Sequence, residues 1–562
     1  MPVDLLAGSP PVPTLTPRAL AARLREPGEL ALLDVGEEGQ FGLGHLLRAV
    51  NVPYSLLELQ TPVLVPRRGC PVVLVDHGGG IAALAARRLR ARGYADVAVL
   101  EGGTEAWAHA GYELFQGVYV PSKAFGEWVE HAFGTPSITA PELQRLLQDK
   151  ADVCVLDPRT VAEHAARHVP GAISCPSAEL AYRFEDLVPS PATLVVVACG
   201  GRTRGIVGAQ SLISAGVPNR VVALADGNHG WQLAGFSLEE GLQRGYAQAT
   251  PQARQAAADR AQRMIGACGL PMADLNTVRR WLADETRTTF VLDVRTAEEF
   301  CAGHVPGARH APGGQLLQAT DKWLGTLGAR VVLADSNGVR AAVTGRWLRC
   351  MGWEVHVLVH GDIAGDAADT ARQALDRTRG ANADEAARVV AELAAWEPPV
   401  AQIEPDEAAR AIAAGAAAVS FDRSADYLAG HPPGALWANR ARLDEPVRLL
   451  RAGRELVLFS EDGRAADLAA IDLREAAPRP DEQVKVVRGG LKAWRQAGYE
   501  VQAARPDCLP ASERIDVLYW MHDRRAGNKD AMRGYLDWER GLLAQMARDG
   551  FAFAAPQDAG SN

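Results

Sequence analysis

The sequence predicts an α/β protein of four tandem modules, each a mostly parallel sheet with helices on both faces. Helical linkers and a helical C-terminal tail complete the chain. Three observations carry this reading. A strand motif ending in aspartate recurs as Leu32-Leu-Asp-Val35, Val155-Leu-Asp-Pro-Arg159, Val291-Leu-Asp-Val-Arg295 and Ser420-Phe-Asp-Arg423. Each copy is followed by an acidic segment and a His-containing turn at His45, His168, His304 or His431. The spacing is also held: the aspartate precedes the next strand's loop by 42 residues in three copies (Asp34 to Asp76, Asp157 to Cys199, Asp293 to Asp335) and by 38 in the fourth (Asp422 to Ser460). A repeat of that precision places one supersecondary unit in each copy.

The elements follow in order within each copy. Short apolar, β-branched runs predict second strands at Val72–Val75, Leu194–Ala198, Val331–Ala334 and Leu456–Phe459. An Ala-rich helix comes next, then third strands at Val97–Leu100, Val221–Leu224, Val355–Leu358 and Val484–Val487. A Gly-rich turn ends three of the copies, with tryptophan four residues beyond a glycine (Gly103/Trp107, Gly227/Trp231, Gly490/Trp494). The modules are expected at about 14–115, 137–242, 271–361 and 402–501. Pro251–Met264 and Ala364–Trp396 read as helical connectors, and the tail, 505–562, carries an amphipathic pattern ending near Gly550 that is expected to pack on a neighbouring repeat or subunit.

Composition excludes several classes. In 562 residues, 48% apolar and 23% charged with a net charge of −9, nothing forms a nucleic-acid surface. The N-terminus lacks the basic and apolar regions of a signal peptide, and no apolar run approaches the ~20 residues of a membrane span, so a cytoplasmic protein is expected. Eight scattered cysteines without a Cys-x-x-Cys pair exclude zinc ribbons and a disulfide framework. No metal and no cofactor are expected.

The chemistry concentrates at Leu194–Gly205, Leu-Val-Val-Val-Ala-Cys-Gly-Gly-Arg-Thr-Arg-Gly. This reads as a buried strand, a tight loop and a helix N-terminus with Cys199 at the turn. Inward N–H groups and the helix dipole favour the thiolate. Arg202 and Arg204 add to that effect and are expected to hold an anionic substrate, while Gly200 and Gly201 let the backbone curl around a sulfur. At the Cys199 position the other copies carry Asp76, Asp335 and Ser460, and at the Arg204 position Ile81, Arg340 and Ala465. Only the second copy keeps both residues, so the others are expected to be inert.

This order of motifs resembles the rhodanese domain, repeated four times with one catalytic copy, over most of the chain. The resemblance implies a sulfurtransferase: Cys199 takes the outer sulfur of a small anionic donor such as thiosulfate, becomes a persulfide, and passes the sulfur to a thiophilic acceptor (cyanide, a thiol or an acceptor protein). Arg204, then Arg202, would meet the sulfonate-like end of the donor, with Thr203 completing the loop. The tandem arrangement of the family further implies that repeat one walls the site of repeat two. Homo-oligomerisation is left open.

Other residues divide between site and framework. Asp157, Arg159 and His168 recur in copies without the cysteine and read as structural. Arg183 is a candidate second anion contact, weighed against an ordinary solvated arginine. Asn228 and His229 are candidates to border the pocket, whereas Trp231, Cys154 and Cys175 read as core. A phosphatase would need five residues between cysteine and arginine, and here four intervene. Mercaptopyruvate is the alternative donor, although two loop arginines depart from that pattern. A sulfur carrier or scaffold with little turnover is the alternative outside catalysis.

Overall fold

A computed structural model describes residues 11–242, 244–361, 400–476, 480–505, 508–518 and 527–555. The connector expected at Ala364–Trp396 lies outside the described residues. The valine-rich runs form parallel strands buried on both faces, as at Val72–Val75 and Leu456–Phe459. Such continuous burial is what a parallel sheet with helices on both sides requires.

Four sheets result, one per repeat. In repeat two the strands lie side by side in the order Ser137–Ile138, Val221–Leu224, Leu194–Val197, Val153–Asp157 and Ile173–Ser174, and every pair is parallel. Repeats one and four have the same order. Repeat three has four strands, and an isolated parallel bridge from Met272 to Val357 stands where the fifth would be. Leu194–Val197 is therefore a central strand, and its carboxyl end delivers the loop at Cys199 to the crevice where parallel sheets bind ligands.

Capping chemistry fixes the short helix after the first strand. Thr160 caps Val161–Ala166, and its capping box closes on Glu163; Thr296 and Glu299 do the same for Ala297–Ala302. Two orphan N–H groups are satisfied reciprocally at each end. All four recurrent histidines bond through Nδ1 to the carbonyl four residues earlier (Phe41, His164, Phe300, Tyr427) at 2.8–3.0 Å. They shape a turn. Three recurrent tryptophans likewise donate to a carbonyl six residues later, from Trp107, Trp231 and Trp494.

The chain divides into two compact units, Met1–Val118 with Glu385–Tyr519, and Tyr119–Asp384 with Trp520–Asn562. The second holds repeats two and three. One apolar core runs through both, from Val195, Val197 and Leu212 to Val331, Leu333 and Trp347. Trp347 donates to Ser211 Oγ at 2.8 Å, so its indole N–H is satisfied within that core. Within this unit the repeat that shares the core of repeat two is repeat three. Pairing depends on which helix faces are apolar, not on sequence adjacency.

The first unit holds repeats one and four, joined by a buried charge network. Arg440 bonds Glu58 at 2.5 and 2.9 Å and Asp472 at 2.7 Å, all three with side chains no more than 1% exposed. Arg88 and the Tyr54 hydroxyl also reach Asp472. Removing Arg440 would strip buried Glu58 of its ion-pair partner and leave Asp472 with Arg88 and Tyr54 alone. Arg440→Ala is therefore expected to destabilise the protein by about 3–5 kcal/mol in urea unfolding; a loss below about 1 kcal/mol would show that the network does not hold this unit together.

Candidate active site

The loop after Leu194–Val197 turns sharply and enters the helix Thr203–Ser214, with Cys199 only 2% exposed. The next third-strand turn clamps it from outside. Asn228 N–H donates to the Cys199 carbonyl at 2.7 Å, and His229 N–H to the Gly200 carbonyl at 3.1 Å. Gly227, at φ +53°, makes this approach feasible, because a Cβ there would collide with the Cys199 and Gly201 carbonyls. The same clamp recurs as Thr104 N–H to Asp76 O at 3.0 Å and Leu491 N–H to Ser460 O at 2.9 Å.

The sibling loops show what the inside of this turn prefers. Asp76 accepts from Ala82 N–H at 2.9 Å, Asp335 from Ala341 N–H at 3.2 Å and Arg340 N–H at 2.9 Å, and Ser460 Oγ from Ala466 N–H at 3.2 Å. In each case one donor lies six residues beyond the acceptor, and in repeat two that position is Gly205. Two of the three sibling loops thus carry a carboxylate where Cys199 places sulfur. The turn is an anion cradle by construction.

Burial raises the Cys199 thiol above its ordinary range; the Arg204 charge and the Gly205 N–H pull it down, Glu539 pushes it up, and the Gly201 N–H lowers it. Sγ also lies 3.3 Å from the Gly201 carbonyl, positioned to donate as a neutral thiol. In the free protein the thiol is thus held near its partners, and the positive groups around the loop offset part of the cost of ionising it.

Both loop arginines are already engaged. Arg204 donates both fork nitrogens to Glu163 at 2.7 Å each, and despite burial this pairing, with the Thr160 hydroxyl, holds the Glu163 carboxyl well below its usual range. Repeat three reproduces the pair as Arg340 and Glu299, at 2.6 and 3.1 Å. Arg202 is bound by Glu127 at 2.7 and 2.9 Å, by Asp226 at 3.1 Å and by Glu130. Arg202 and Arg204, the residues expected at the donor's anionic end, are thus both ion-paired here: Arg202 ties the loop to the helix Val120–Phe133, and Arg204 sets its charge beside Cys199. Thr203 donates to Glu539 Oε1 at 2.5 Å.

The reading of Arg183 as a solvated arginine is corrected. Arg183 is neither a surface residue nor part of the loop: it is buried, pairs with Glu179 at 2.7 Å and lies over the Tyr246 ring at 4.2 Å. Asp157 and Arg159 form a bidentate pair at 2.6–3.2 Å, repeated by Asp293 and Arg295, as a framework pair should be. Cys175 is fully buried and its thiol is pushed well up by burial.

The wall over the loop comes from the tail. The helix Lys529–Arg548 packs on the helix Val120–Phe133, and Tyr535 and Glu539 approach Gly201, where a Cβ would lie 3.2 Å from the Tyr535 ring and 3.5 Å from Glu539 Oε2. Arg540 fastens this helix to Asp226 at 2.7 Å. Sequence reasoning missed Glu127, Glu163 and Glu539. Glu127 carries no signal beyond helix position, whereas Glu163 carries one in the capping-box spacing from Thr160, repeated as Thr296 and Glu299. Glu539 carried one, a single acid within the apolar stripe Met532, Tyr535, Leu536, Leu542 and Met546.

Among the described residues no group of three or more His, Cys, Asp or Glu is disposed to hold a metal ion, and no helix is long and apolar enough to cross a membrane.

Comparison with known proteins agrees with this geometry. The rhodanese-like domain model matches residues 16–110, 139–234 and 275–362. A crystal structure of thiosulfate sulfurtransferase from Pseudomonas aeruginosa is 38% identical, with a TM-score of 0.84 over 97% of this chain and 100% of that one. An HTH-type transcriptional regulator of Mycobacterium tuberculosis is 34% identical over 115 residues, and the chain spans half the length of that curated relative.

After burial, the Arg204 charge is the largest influence on the thiol's ionisation, so two substitutions should move it in opposite directions. Iodoacetamide labelling of Cys199, read on its own peptide at pH 8, should slow several-fold in Arg204→Met and quicken in Glu163→Gln. Slowing in both would show that the pair acts by holding the loop's shape and not by its field.

Proposed function

The chain belongs to the rhodanese family, and from that premise we propose that it is a sulfurtransferase whose second repeat carries sulfur as a persulfide on Cys199. The observation that carries this reading is the cradle. In two of its three siblings the same turn holds carboxylate oxygens with backbone N–H groups, and in repeat two it presents a sulfur atom to the equivalent donors.

The reaction follows from that arrangement. The Cys199 thiolate attacks the outer sulfur of thiosulfate; the sulfur–sulfur bond of the donor breaks, and sulfite leaves with the electron pair. The terminal sulfur of the resulting persulfide bears negative charge inside the loop, where fixed N–H dipoles stabilise it without reorganising. A thiophile then attacks that outer sulfur, and the Cys199 thiolate is released. Gly200, Gly201 and Gly205 give the extra sulfur room, and Arg204 supplies the fixed positive charge that favours both anionic sulfur states. Thiosulfate is favoured as donor by the likeness to the Pseudomonas enzyme, with mercaptopyruvate as the alternative.

Repeats one, three and four, with Asp76, Asp335 and Ser460 in the loop, cannot form a persulfide there. Intact mass after incubation with thiosulfate is expected to rise by one sulfur atom in the wild type and not in Cys199→Ser. Thiocyanate formation from thiosulfate and cyanide should vanish in the same variant. Equal rates in the two proteins would overturn the reading, loading by mercaptopyruvate alone would change the donor, and loading without turnover would mark a sulfur carrier.

A further inference from the structure

The tail helix Lys529–Arg548 starts at Asn528, whose side chain accepts from Asp530 N–H and Ala531 N–H at 3.0 and 3.1 Å. Its buried stripe is apolar except at Tyr535 and Glu539, and Glu539 is 0% exposed. A carboxylate placed there needs partners. Oε1 has them, from the Thr203 hydroxyl at 2.5 Å and the Tyr535 hydroxyl at 3.3 Å. Oε2 has no hydrogen-bond partner among the described residues, although it is buried and faces the loop at Gly201.

The surrounding charges do not satisfy it. The loop contributes Cys199, Arg204 and Arg202, and both arginines are bound to other carboxylates. The helix Val120–Phe133 contributes buried Lys123 and Glu127, with Glu130 beside them. The turn and helix after the third strand contribute Asp226, paired with Arg540, and His229, which meets the Tyr535 ring edge-on. Among the described residues no cation forms an ion pair with Glu539. A second buried oxygen with nothing to accept from, at the rim of a reactive sulfur, is a place for a substrate proton donor.

A dianionic donor such as thiosulfate brings no proton and meets this carboxylate with like charge. A thiol brings the S–H that Oε2 lacks. We propose that Glu539 is the proton acceptor for the second half of the reaction, and that the acceptor class this site takes is a neutral thiol; the proposal rests on the persulfide reading above. The thiol sulfur bonds to the outer persulfide sulfur while the bond from that sulfur to Cys199 Sγ breaks and its electron pair returns to Sγ. The S–H proton passes to Glu539 Oε2. The products are the Cys199 thiolate, the acceptor's persulfide anion and a neutral Glu539, with charge balanced and no outside oxidant or reductant.

The experiment separates this step from loading. Wild type and Glu539→Gln are loaded with thiosulfate, freed of donor, and checked for one added sulfur by intact mass. Discharge is then followed with 2-mercaptoethanol and with sulfite between pH 6 and 8. A carboxylate base makes discharge by the neutral thiol nearly independent of pH. Without it the reaction draws on thiolate and climbs ~tenfold per pH unit. Expected, then, is a wild-type profile that is flat and a Glu539→Gln profile that is steep and roughly 100-fold lower at pH 7 with the thiol. Sulfite discharge should be several-fold faster in the variant, because a negative charge facing a dianion is gone. Parallel thiol profiles, or equal slowing with both acceptors, would overturn the role of Glu539 and leave the persulfide standing. Failure of the wild type to load would overturn both. If only Glu539→Gln fails to load, Glu539→Asp decides: a flat thiol profile supports the proposal and a steep one overturns it.

Discussion

The organising constraint is the hydrogen bond from the backbone N–H six residues along the loop to whatever atom stands at its first position. Asp76, Asp335 and Ser460 each accept it, and Gly205 supplies the corresponding N–H to Cys199. Everything around the loop serves to keep those donors convergent. The buried central strand fixes where the loop begins, the helix fixes where it ends, and the glycine-led clamp from the third strand holds its outer carbonyls. An oxygen acceptor takes that position in three repeats and a sulfur in the fourth.

The arginine at the loop's end shows how a framework contact acquires a chemical role. Arg204 and Arg340 make the same two-pronged pair with the glutamate of the preceding capping box, Glu163 or Glu299. The pair belongs to the fold, since repeat three keeps it with no thiol in place. In repeat three Arg340 also bonds the loop's own Asp335, whereas in repeat two its counterpart faces a sulfur that can gain or lose a proton. One guanidinium therefore neutralises a fixed charge in one module and biases an ionisation in the other.

The sequence was most informative where period and spacing are local. The second strands Val72–Val75 and Leu456–Phe459 and the third strands Val97–Leu100, Val221–Leu224 and Val484–Val487 have the bounds their apolar runs imply. The position of Cys199 at a strand end was equally readable, because three sibling loops calibrate it. What escaped depends on contacts across long separations. The association of repeat two with repeat three rests on apolar helix faces that resemble one another in every copy, with Trp347 deciding the match. The fates of Arg183 and Arg202 rest on carboxylates whose directions no local pattern records, at Glu179 and at Glu127 and Glu130.

The reach of Glu539 back to Thr203 has a consequence in time as well as in space. Synthesis of repeat two ends long before the residue that covers its loop exists. At about 5–20 residues per second of synthesis, the interval from Cys199 to Glu539 lasts roughly 20–70 s. During that interval the thiol stands without the carboxylate that opposes its ionisation and without the helix that shields it. The loop at Cys199 therefore gains its cover only when the tail helix docks.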